Sequence, residues 1–251
     1  MKSNTDKMHL IISDTNKNFT STGCIYINNE FIESEKSVKL LGVTIDNKLN
    51  FSEHITNLIK KGNQKLHAIA RISKYLCENK LKLVVRTFIE SQFNYCPLIW
   101  MFHSRTLNTK INYLHERALR IIYKDTTLTF EELLEKDNSV TIHDRNLQKL
   151  AIEMFKIKNH LSPNPVLELF RERSIHYQLR NERCWELPRV NTVNFGKESL
   201  TYRGILTWNL LPNDLKQTES LSSFRTKIKQ WKPQGCTCRL CINYISNLGY
   251  I

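Results

Sequence analysis

Two hydrophobic rhythms divide the chain. Short β-branched runs come first: "HLIIS" (His9 to Ser13), "GCIYIN" (Gly23 to Asn28) and "VKLLGVTI" (Val38 to Ile45). Turn-forming Asn, Thr, Ser and Lys separate them, which predicts strands. Met8 to Ile32 therefore reads as hairpin-like, and "DNKLNF" (Asp46 to Phe51) turns the third strand into a helix. From there the period becomes helical and stays so. Ser52 is the expected N-cap of a helix reaching about Leu76, with Ile55, Leu58, Ile59, Leu66, Ile69 and Leu76 on one stripe. Lys60, His67, Arg71 and Lys74 lie on its opposite face.

The same period predicts a second helix from about Glu78 to Tyr95, with Leu81, Val84, Val85, Phe88 and Ile89 inward and a stop before Pro97. "YCPLIWMF" (Tyr95 to Phe102) is too apolar for an exposed loop and reads as buried chain. A third helix follows over about Leu107 to Tyr123, inward at Ile111, Leu114, Ala118 and Ile122. Thr129 with Glu132 forms a capping-box pattern for a short helix. Thr141 to Leu161 is a long helix using Leu147, Leu150, Ala151, Met154 and Phe155, broken by "SPNP" (Ser162 to Pro165). Shorter elements complete the chain: "VLELF", "WELPRV", "SLTYRGILTWNLLP", and an amphipathic "SLSSFRTKIKQW" carrying Phe224, Ile228 and Trp231. No internal repeat is present. The fold class expected is mainly α (α+β), with a small N-terminal β-hairpin region followed by a helical bundle and a helical tail.

Composition narrows the function. The 251 residues are 41% hydrophobic, enough for a real core, and hold only seven glycines and six prolines. That disfavours both an all-β sandwich and a low-complexity chain. A formal net charge of +13 calls for a polyanionic partner, nucleic acid first and an acidic membrane surface second. No apolar run has the length of a membrane span, and Met1 to Ser13 lacks the apolar core of a signal peptide. The expected location is intracellular, nucleus or cytoplasm.

Seven cysteines, three of them crowded near the end, look like reduced thiols with one local cluster instead of a disulfide framework. Cys236, Cys238 and Cys241 are spaced C-x-C-x-x-C and can grip one soft metal ion. Structural Zn²⁺ takes four ligands, so the fourth must lie upstream, where Cys184 and His176 are candidates. The competing reading is an exposed, reduced tail. Lys60, Arg71 and Lys74, with only Glu53 as an acid nearby, are candidate phosphate contacts, and the competing reading is a solvated helix face. No acid follows Glu219, whereas Arg225, Lys227, Lys229, Lys232 and Arg239 do; Lys227 and Lys229 join the binding candidates. His54 and His115 lack a catalytic partner at useful spacing and read as structural, and Trp208 as a core anchor.

Several blocks, in order, resemble the C-terminal portion of reverse transcriptases from jockey-like non-LTR retrotransposons. "NTDKMHLIIS" (Asn4 to Ser13) is similar to the segment after the catalytic carboxylates, and "VKLLGVTIDNKLNFSEHI" to the primer-grip hairpin entering the thumb. "SQFNYCPLIW" and "LHERALRII" are similar to the helices beyond it. "RGILTWNLLPNDLKQTESLSSFRTKIK" and "GCTCRLC" with "YISNLGYI" are similar to the tail. The resemblance covers essentially the whole chain. It implies residues 1–50 as a palm remnant with the primer grip, 51–161 as a helical thumb-like domain, and 162–251 as a helical tail with the Cys cluster.

RNA and DNA, as an RNA–DNA duplex, are the partners implied. Gly42 becomes a candidate for close backbone approach to a primer strand, against the ordinary reading of a strand bulge. Lys7 stands where such polymerases keep a lysine, and reads here as an exposed strand-flanking residue. These polymerases hold two Mg²⁺ ions with an Asp-Asp pair and an earlier Asp. This sequence contains no Asp-Asp; Asp6 and Asp14 flank a strand at opposite ends. The resemblance thus implies a chain without catalytic residues of its own, Mg²⁺ belonging to an intact parent polymerase. It also implies that the wider sheet of the 38–45 strand lies in sequence not present here. The alternative expectation is a stand-alone basic nucleic-acid-binding module.

Overall fold

The computed structural model describes residues 8–13, 22–27, 30–172, 185–193 and 195–241. The fold is mainly α, with a small β region of two hairpins at its N-terminal end. Strands β1 (Cys24–Ile27) and β2 (Glu30–Glu33) pair antiparallel, Cys24 opposite Glu33. Strands β3 (Ser37–Leu40) and β4 (Val43–Asp46) form the second pair, Leu40 opposite Val43. "HLIIS" contributes only an isolated bridge, Leu10 to Ser34.

The continuous strand expected over 38–45 is therefore two strands. Leu41 (φ 46°) and Gly42 (φ 86°) are the two central residues of the turn between them. Positive φ at both positions matches the right-handed twist of the strands, and glycine adopts it without a Cβ penalty. The Tyr95 hydroxyl donates to the Leu41 carbonyl at 2.6 Å and holds the turn. Gly42 serves this turn, and Leu41 beside it is 82% exposed.

The approach to the first helix also differs from expectation. Helix α1 (Ser52–Ile72) begins at Ser52 itself, and Phe51 takes the N-cap position at φ 55° without a side-chain cap. Asn50 Oδ1 accepts from the Ser52 N–H at 2.9 Å, and Asp46 fixes the turn that leads there. The Asp46 carboxylate accepts from the backbone N–H groups of Lys48, Asn50 and Phe51 at 3.1, 3.2 and 2.6 Å. The chain ends α1 in a 3₁₀ turn (Ser73–Tyr75). Helix α2 (Glu78–Phe88) is shorter than its sequence period suggests, and a 3₁₀ turn (Glu90–Asn94) replaces its last part. Phe88, at the end of α2, is half exposed, whereas Ile89 and Phe93 are buried. Pro97 starts a single-turn helix α3 (Pro97–Trp100), which buries Trp100 and Met101.

Helix α4 (Arg105–Tyr123) is capped by Ser104 and buries Ile111, Leu114, Ala118 and Ile122, as the period predicts. Helix α5 (Phe130–Asp137) carries the full Thr129–Glu132 capping box. Helix α6 (Ile142–Lys158) starts from the N-cap Thr141. Beyond it come α7 (Asn164–Leu167), α8 (Leu200–Leu210), α9 (Asn213–Lys216) and α10 (Leu221–Lys227), the last running into a 3₁₀ turn (Ile228–Gln230).

The chain divides into two compact units, residues 1–96 with 103–124, and residues 97–102 with 125–251. This division, made by packing, cuts the 51–161 stretch after Lys124. In the first unit α1 packs on α2 and α4, burying Ile55, Leu66, Ile69, Leu81, Val85 and Leu114. In the second, α6 is the central helix and packs on α3, α8 and α10. Its core stacks Phe155 on Phe224 at 4.4 Å and sets Trp185 edge-on to Trp208 at 5.6 Å. Trp208 is a core residue, as its sequence context suggests. Each such side chain contributes about 1.5–3 kcal/mol by leaving water. No helix among the described residues is long and apolar enough to cross a membrane.

Candidate metal centre

The three clustered cysteines converge on a residue that the sequence pattern does not single out. His143 Nε2 lies 3.3 Å from the Sγ atoms of both Cys238 and Cys241, and those two sulfurs are 3.4 Å apart. With Cys236 the set has four potential ligand atoms, all within 4.8 Å of one another. Tetrahedral bonds of about 2.0–2.3 Å put ligand atoms roughly 3.5–3.8 Å apart, so the spacing fits a single ion. The fourth position expected upstream is therefore held by His143, and Cys184 and His176 lie outside the described residues.

Local sequence explains the convergence. Thr141 Oγ1 accepts from the Asp144 backbone N–H at 3.1 Å, fixing the first turn of α6 and His143 within it. His143, Leu147, Leu150 and Met154 share one buried stripe of that helix, so an imidazole occupies an apolar position. Gly235, at φ 75°, bends the chain immediately before Cys236. Cys241 N–H then donates to the Cys238 carbonyl at 2.9 Å, and this turn brings their two thiols together. Cys236, Cys238 and Leu240 pack on Met101, Leu147 and Leu150.

Protonation follows from this crowding. Burial alone would depress the His143 pKa, but hydrogen bonds to Cys236 and Cys238, with the negative charge on Cys238, push it up to about 10. Hydrogen bonds from Cys236 and Cys241 hold the Cys238 thiol far below its ordinary range, and His143 adds to this. Hydrogen bonds with Cys236 and Cys238 drive Cys241 up. A metal ion would take the place of these shared protons, and its binding would release them. The positive end of the α6 dipole favours the net negative charge of a three-thiolate centre. His143 Nδ1 is buried with no partner among the described residues. Four protein ligands leave no open coordination position, which is the arrangement of a structural site.

The basic residues proposed from sequence are placed apart from this cluster. Lys60, Arg71 and Lys74 are exposed on α1 or just beyond it, with His67 on the same surface. Lys227 and Lys229 are exposed at the end of α10 and in the following turn. Residues 52–124 carry thirteen Lys and Arg against four Glu and no Asp. Three of those carboxylates are engaged within the first unit: Glu78 with Lys82 at 3.1 Å, Glu116 with Arg120 at 2.7 Å, and Glu90 3.9 Å from buried His115. Lys7, Asp6 and Asp14 lie outside the described residues. Comparison with family models, curated proteins and solved structures finds no match to this chain.

Proposed function

We propose that the chain is a basic, non-catalytic nucleic-acid-binding module, the C-terminal portion of a jockey-like non-LTR retrotransposon reverse transcriptase, with Zn²⁺ at its cysteine–histidine cluster. One observation carries the binding reading: the helical part of the first unit has a large excess of cations, and three of its four acids already have partners there. The unneutralised charge faces solvent along α1 at Lys60 and Arg71, and at Lys74 after it. Such a surface binds phosphates without reading bases, as suits an RNA–DNA duplex. The ordered sequence blocks support the polymerase origin. Zn²⁺ is the metal that three thiolates and one imidazole select in a closed tetrahedron. Catalytic Mg²⁺ would belong to carboxylates elsewhere in a parent polymerase.

Binding of a fluorescent RNA–DNA duplex across a salt series tests this. Affinity should fall steeply with salt, and replacing Lys60, Arg71 and Lys74 together by Gln should flatten the logarithmic slope by about 2–3. An unchanged slope would remove α1 from the interface. The polymerase origin has its own test: coding sequence upstream of Met1 should contain an Asp-Asp palm motif.

A further inference from the structure

We infer that the metal acts as a clasp: it seats the segment 231–241 on α3 and α6, and without it that segment detaches. The inference rests on the reading of the cluster as a metal site.

The segment has no helix or strand of its own. Its internal backbone bonds are local turns, Gln234 N–H to the Lys232 carbonyl and Cys241 N–H to that of Cys238, each at 2.9 Å. Apart from the Cys238 and Cys241 thiols at His143, two side chains tie it and the turn before it to the rest of the second unit. The Gln148 amide donates to the Lys229 and Trp231 carbonyls at 3.3 and 2.8 Å, and the Arg239 guanidinium donates to the Phe102 carbonyl. Burial of Leu240, with part of Trp231, is a small return for ordering so long a stretch. Cys236 and Cys238 are buried too, and thiol–imidazole hydrogen bonds hold the segment far less strongly than an ion bound in place of their shared protons. Metal binding supplies what the segment lacks, because the site exists only when the segment is seated.

Detachment has a specific consequence. It would uncover Met101, Leu147 and Leu150 and release Arg239 from the Phe102 carbonyl, while α10 and the turn after it stay anchored by Phe224 and Ile228 in the other core cluster.

The experiment uses the full chain, stripped by a chelator and reloaded with Zn²⁺ or Co²⁺. One equivalent of Co²⁺ should give the intense visible bands of a tetrahedral thiolate site. Amide hydrogen exchange across 231–241 should slow at least about tenfold on loading, while α1 and α4 stay unchanged. His143→Ala should weaken metal binding by about tenfold or more and restore fast exchange in the segment. His143→Cys should retain both metal and protection, since it keeps four ligands. If His143→Ala does not fold, Cys241→Ser provides the same comparison from the tail side. A folded chain that takes up no Co²⁺ or Zn²⁺ would overturn the metal reading itself. Stoichiometric metal with equal exchange across 231–241 in both states would overturn the clasp and leave the metal reading intact.

Discussion

His54 and His143 are both buried imidazoles in the first turn of a long helix, yet in the metal-free chain their surroundings shift their pKa values in opposite directions. His54 Nδ1 accepts from the Thr44 backbone N–H at 3.2 Å, which requires a neutral ring at that nitrogen. Burial lowers its pKa below the ordinary 6.5, and the nearby Lys61 charge lowers it further. The unfolded chain therefore takes the proton first as pH falls. His54 leaves stability intact above about pH 6.5 and subtracts from it as pH drops from there through the lowered native value. Urea unfolding of the first unit should thus weaken between pH 7.5 and 5.5, and His54→Asn should make that loss shallower. Equal pH dependence in both proteins would show that His54 is not the group responsible. His54 is legible in the sequence as structural, whereas no motif marks His143, which lies 95 residues from Cys238. The available signal was an imidazole at a buried position of an otherwise apolar stripe, and no spacing rule links it to cysteines so distant.

Elements were legible where their signals act over three or four residues. The capping box of α5 is one such case. Thr129 Oγ1 accepts from the Glu132 N–H at 3.3 Å, and Glu132 Oε2 accepts in return from the Thr129 N–H at 2.7 Å. Losing a cap of this kind costs about 0.5–2 kcal/mol, so Thr129→Ala should lower the second unit's denaturation midpoint by a corresponding amount, read by urea titration. Thr129→Ser should restore it, and no change in the Ala variant would mean that the cap is dispensable. The long helices were equally readable, because Ile111, Leu114, Ala118 and Ile122 repeat at the helical period and are all buried. What escaped depended on backbone conformations that sequence does not favour. Leu41 and Phe51 both adopt positive φ, uncommon for bulky residues, so the β3–β4 turn read as unbroken strand and Ser52 as a cap. Gly42 was the visible clue to the turn. The 3₁₀ stretch after α2 was hidden for a related reason. Phe88 ends α2 half exposed, and Ile89 and Phe93 are the residues buried where the winding changes.

At the scale of the molecule, each of the two units has its own buried core and its own chemical handle. His54 belongs to the unit built from α1, α2 and α4, whereas the four candidate metal ligands all belong to the unit centred on α6. A ligand stabilises only the structure that holds its site, by an amount set by its concentration relative to its dissociation constant. On the proposed reading, Zn²⁺ at one hundred times that constant should add about 2.7 kcal/mol, enough to raise a transition of this size by on the order of 10 °C. Acid acts on the other unit through the His54 linkage. Calorimetry of the full chain should therefore resolve two transitions. Chelation at pH 7.5 should lower one of them and leave the other in place, and a step to pH 5.5 in chelator, where no metal is bound, should lower the second. The His54→Asn and His143→Ala variants assign them, each moving its own unit's transition. A single transition that responds to both treatments would mean that the units unfold as one cooperative block, and the metal would then stabilise the basic helices as well as the tail.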